Sequence, residues 1–145
     1  MILDANILIV CSQNPKQLKD MKIWGRLLWI DGLAGLFVGI VTLLLMGWLP
    51  NFYGLPQSVV LFIGGANVVY GSYSTSLALR VVRPRRLIVL LAALNLCWTG
   101  VCVAMLVLFG GAATFFGIAH IAAEGLFVAG LAFAEWMWQE QLSTP

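Results

Sequence analysis

Between Leu27 and Leu49 the chain carries one charged side chain, Asp31, and stretches of the same kind return near 58–80, 87–109 and 114–136. A helix rises about 1.5 Å per residue, so roughly 20 apolar residues cross the ~30 Å hydrocarbon core of a bilayer. All eight Lys and Arg stand at or beyond the ends of these stretches. Short links between successive spans join neighbours antiparallel. The expected fold is therefore all-α, a transmembrane four-helix bundle running up-down-up-down. Composition leaves little room for another class. With 61% hydrophobic and 10% charged residues and a mean hydropathy of +0.97, there is too little polar surface to coat a water-soluble globule.

The basic residues set an expected orientation. Lys16, Lys19, Lys22 and Arg26 precede the first span, and Arg80, Arg83, Arg85 and Arg86 occupy the link between the second and third. The other two links carry none. Lys and Arg are retained on the cytoplasmic side, which places both termini and 81–86 inside and 50–57 and 110–113 outside a bacterial inner membrane. The same placement argues against nucleic acid as a partner, since the net charge of +2 comes from two short clusters beside membrane ends. Trp24, Trp29, Trp48, Phe52, Tyr53, Trp136 and Trp138 flank the spans as expected interfacial anchors. Pro50 and Pro56 bracket a turn-rich segment expected not to continue a helix, and Pro84 breaks the pattern between Arg83 and Arg85.

Three parts are expected: a cytoplasmic or interfacial extension over 1–21, the membrane domain over 22–140, and a cytoplasmic tail over 141–145. The apolar run Ile7–Val10 is too short to span and lacks the leading basic region of a secretory signal. No internal repeat supports an inverted-repeat transporter within one chain. Cys11, Cys97 and Cys102 have no metal-ligand spacing, and a lone His120 excludes bis-histidine haem ligation within one chain. No metal or cofactor is expected, and no catalytic motif is present.

Candidate functional residues are the polar groups at depth. Glu124 falls near the middle of the fourth span, where a carboxylate is costly, and His120 precedes it by four residues on the same helix face, a spacing that allows a direct hydrogen bond. Asn67 and Asn95 fall within about a turn of the same depth on the second and third spans. Tyr70 lies one turn beyond Asn67, and Ser74, Thr75 and Ser76 continue that polar tendency toward Arg80. Asp31 lies about a turn past the inner interface, within reach of water or Arg26. Gly32, Gly35 and Gly39 form a small-residue face suited to close helix packing, within one chain or between copies.

The segment Leu94-Asn95-Leu96-Cys97-Trp98, following Arg83-Pro84-Arg85-Arg86, resembles largely uncharacterised small bacterial four-span integral membrane proteins that carry an Asn-x-x-Trp in the third span. The likeness extends over residues 22–140 and implies the architecture without an activity. The glutamate early in the first span of small multidrug exporters and the thiol pairs of membrane disulfide catalysts are absent.

Three functions are compatible with these residues. The leading one is a non-enzymatic accessory or structural component acting through helix–helix contacts, alone, as a homo-oligomer or in a larger membrane complex. The second is a proton-linked small-solute transporter or channel built on Glu124 and His120. The third is a quinone- or lipid-binding subunit of a membrane enzyme using His120, Glu124 and Tyr70.

Overall fold

The computed structural model describes residues 15–143, with side chains from residue 26 onward. The expected extension over 1–21 lies largely outside the described residues. All secondary structure among the described residues is helical: α1 Pro15–Leu44, α2 Leu49–Tyr53, α3 Gln57–Leu79, α4 Arg85–Phe109, α5 Phe115–Met137 and α6 Gln139–Leu142. Three helices are long and apolar enough to cross a membrane, α1 over Arg26–Leu44, α4 and α5. The helix α3 matches α5 in length at 23 residues, but Gly64, Gly65, Asn67, Tyr70 and the run from Gly71 to Ser76 dilute its apolarity.

The first long helix ends at Leu44, and the proline-bearing segment after it forms a separate short helix rather than continuing it. Proline at the start of α2 costs no hydrogen bond, because the first N–H groups of a helix have no intrahelical acceptor. Gly54, at φ 65°, terminates that turn in the left-handed conformation that only glycine adopts without strain.

Helix pairing follows from small residues. Gly35 and Gly39 of α1 meet Gly71 and the Gly64–Val68 stretch of α3, an order that runs the two helices antiparallel. A Cβ added at Gly39 would stand 2.7 Å from the Val68 backbone nitrogen, and one at Gly71 would collide with the Leu36 backbone. In the second pair, Gly125 of α5 sits against Cys102 of α4, where an added Cβ would come within 3.1 Å of the Cys102 Cβ. Helices in lipid gain little from the hydrophobic effect on association, so this backbone proximity supplies the dispersion that holds them.

The interior is layered. At the proline-rich end, Leu49, Leu55, Val60, Ile63, Met105 and Ile121 form one apolar cluster. At the basic end, Leu28, Leu77, Ile88, Leu91 and Leu142 form another. Leu142 is 1% exposed, so residues 139–142 fold back against the helices rather than trail free as a tail. Trp138 packs on the same cluster, whereas Trp29, Trp48 and Trp136 face outward.

The outer surface is greasy: Phe37, Leu44, Val69, Val107, Leu126 and Phe133 are among its exposed side chains. Between the two apolar clusters the polarity is inverted, with Asp31, Asn67, Ser74, Asn95, Glu124 and Glu135 all buried. Polar inside and apolar outside is the arrangement a lipid solvent favours.

Candidate functional site: a buried polar layer around a central cavity

Glu124 sits nine residues into α5, and its Oε1 accepts two hydrogen bonds, from Asn67 Nδ2 of α3 at 2.7 Å and from Trp98 Nε1 of α4 at 2.8 Å. A carboxylate at this depth has no water shell, so donors from two other helices take that part. Asn67 Nδ2 also donates to the Ile63 carbonyl one turn back, which fixes its side chain toward α5. The remaining oxygen, Oε2, has no hydrogen-bond partner among the described residues.

His120 reaches Glu124 differently from the sequence expectation. Its Nε2 lies 3.4 Å from Glu124 Oε2 without forming a hydrogen bond, and its ring stacks on Tyr53 of α2 with centroids 5.1 Å apart and planes 18° from parallel. The stacking sets the ring's plane. Tyr53 is held in turn because its carbonyl accepts the Thr114 N–H at 2.8 Å, and Phe52's carbonyl accepts the Thr114 hydroxyl at 2.7 Å.

Asp31 forms a second centre. It is 2% exposed, and its Oδ2 accepts from the Tyr70 hydroxyl at 2.5 Å and the Ser74 hydroxyl at 2.6 Å. Both of these partners are α3 hydroxyls. Ser72 and Ser76 donate to their own helix's carbonyls at Val68 and Tyr73, so of the run from Ser72 to Ser76 only Ser74 reaches the acid.

Asn95 does not join Glu124 as its depth suggests. It donates to Glu135 Oε2 at 2.9 Å, and its own Oδ1 is unpaired. Glu135 is wholly buried and interacts electrostatically with Asp31, while the Asn95 amide also meets the Tyr70 hydroxyl. Sequence reading missed Glu135. The signal was present: Glu124, Val128, Leu131 and Glu135 follow a spacing of four, three and four, which puts them on one helix face, and all four are buried.

The two centres share a cavity of about 50 Å³ whose wall includes Asp31, Asn67, Tyr70, Asn95, Trp98 and Glu124. That volume accommodates a few water molecules or a small cationic group. None of its lining residues is basic. The described residues contain no group of three or more His, Cys, Asp or Glu placed to hold a metal ion. Gly32, Gly35 and Gly39, the remaining sequence candidates, are engaged with α3 of the same chain, Gly32 against Thr75, so that face is covered within one molecule.

Comparisons with protein-family models, curated proteins and solved structures find no match.

Proposed function

We propose that this chain is a non-enzymatic, multi-pass inner-membrane protein in which Glu124 carries a proton in the linked passage of a small solute. In this reading α1, α3, α4 and α5 all cross the bilayer as an up-down-up-down bundle. Its termini lie in the cytoplasm. Support for the fourth crossing comes from α3's polar side chains, which turn inward or bond their own helix and so leave a mostly apolar outer face. Support for the orientation comes from Arg80, Arg83, Arg85 and Arg86, which gather at the same end as Arg26 and the buried Leu142.

The observation that carries the functional reading is the seating of two buried acids, Asp31 and Glu124, on one small cavity in the middle of an apolar molecule. Ionisable groups at depth are costly, and packing alone would be served as well by apolar residues. By rise per residue Glu124 stands roughly 14 Å from one end of α5 and roughly 20 Å from the other. A proton held there is midway through the molecule. Asp31, Tyr70 and Ser74 continue the polar line toward the basic end.

The test is proton flux into vesicles containing the full chain and a trapped pH-sensitive dye, under an imposed pH difference with the electrical potential clamped. Glu124→Gln keeps the side chain's size and its acceptor oxygen, and is expected to lower the flux at least tenfold while expression and helicity persist. Equal flux in the variant and the parent would eliminate Glu124 as the carrier.

A further inference from the structure

A lateral groove of about 790 Å³ lies between α3 and α4, lined almost wholly by apolar side chains such as Leu61, Phe62, Val69, Leu94 and Val101. It adjoins the central cavity, because Ala66, Tyr70 and Trp98 line both. Gly65 leaves part of the groove open, with nothing within 4 Å of the position a Cβ would take. Trp98 stands between the two spaces. Its indole N–H donates to Glu124 inward, and its ring lies against Phe62, with centroids 5.6 Å apart, on the groove side.

The cavity is chemically one-sided. Asn95 Oδ1 and Glu124 Oε2, in residues 1% and 9% exposed, accept no hydrogen bond; His120 Nε2 stands 3.4 Å from Glu124 Oε2, and no basic residue lines the cavity itself. Unpaired acceptors in a wall without a basic residue suit a cationic donor. The space suffices for an ammonium head and not for an alkyl tail, whereas the groove beside it has the opposite character.

We infer that the site takes an amphiphilic ammonium ion, its head between Glu124 and Asp31 and its tail in the α3/α4 groove, admitted sideways from the bilayer past Trp98. This rests on the reading of Glu124 as a proton carrier. The ammonium donates to the unpaired Oε2 while Oε1 keeps its donors, and the proton that Glu124 carries leaves to solvent as the cation enters, so charge balances. The groups facing Glu124 during this exchange are Asn67 of α3, Trp98 and Cys102 of α4, His120 on its own helix and Tyr53 of α2, with Asp31 across the cavity.

The experiment measures protons released when hexylammonium, methylammonium or hexanol is added to the full chain in weakly buffered, uncharged micelles, against protein-free micelles. Hexylammonium is expected to release close to one proton per chain at a midpoint at least tenfold below that of methylammonium, since each buried methylene favours binding about fourfold. Hexanol should release none. Glu124→Gln should abolish the release. Gly65→Phe, which fills the groove at an open position, should shrink the ratio of the two amine midpoints to less than threefold. Equal midpoints in the parent, release by hexanol, or an unchanged ratio in Gly65→Phe would each overturn the inference. So would a Gly65→Phe variant that changes oligomeric state instead of the ratio, because the groove would then belong to a second copy. Equal midpoints alongside a proton flux still lost in Glu124→Gln would sink the ammonium site and spare the proton reading; flux indifferent to Glu124 would sink both.

Discussion

The three interior acids take their hydrogen bonds from different side chains. Glu124 draws on Asn67 and Trp98, Asp31 on Tyr70 and Ser74, and Glu135 on Asn95. Asn95→Leu leaves Glu135 buried without that donor. It is expected to destabilise the protein by about 1–2 kcal/mol, the upper part of the range for buried polar contacts in membrane helices. Reversible unfolding in mixed micelles reads this directly. Adding Glu135→Leu should recover most of the loss, since removing both partners of a buried pair is cheaper than orphaning one. A double variant no more stable than Asn95→Leu would show that the pair is not energetically coupled. Asn67 and Asn95 were legible from sequence as buried polar groups, but which acid each would meet was not, because helix rotation and a shift of one turn decide that.

The α1/α3 contact is the element most sensitive to side-chain size. Gly39 and Gly71 each face backbone atoms of the opposing helix, which cannot swing aside as a flexible side chain can. Gly71→Leu should therefore push the helices apart and cost about 1–3 kcal/mol or more, as overpacking does, whereas Gly130→Leu, with no atom within 4 Å of the added Cβ, should change stability little. Thermal unfolding followed by alkylation of buried Cys102 distinguishes the two, and equal melting temperatures would contradict the pairing. Because Gly35 and Gly39 are already covered by α3, enlarging either should alter folding before it alters cross-linking between copies. The glycine spacing was visible in the sequence. Its partner was not, since a small-residue face looks the same whether a neighbouring helix or another molecule fills it.

At the level of the whole molecule, two apolar clusters close the ends and a polar layer occupies the middle. Four-span topology predicts that cysteines placed at Asn51 and Gly111 react with an impermeant reagent from outside whole cells, while one at Val82 reacts only after lysis. Labelling of positions 51 and 82 from the same side would refute it. The basic end is further tied down by Leu142, which packs with Leu28, Leu77 and Ile88. Leu142→Asp should release 139–142 to proteolysis while leaving the central cavity's residues in place, and limited digestion tests this.

What the residues alone determined is the solvent and the direction of folding: long uncharged stretches select lipid, helices satisfy their own backbone there, and a few polar side chains at depth must turn inward. Those arguments depend on composition and spacing along one helix, which a linear chain displays. The tertiary structure decided everything that requires two helices at once. It turned the segment after Leu44 into a short helix, gave the glycine face to α3, moved Asn95 from Glu124 to Glu135, and set Trp98 between a greasy groove and an acidic cavity. Register and rotation between packed helices are fixed by contacts summed over both surfaces, and no single stretch of sequence contains that sum.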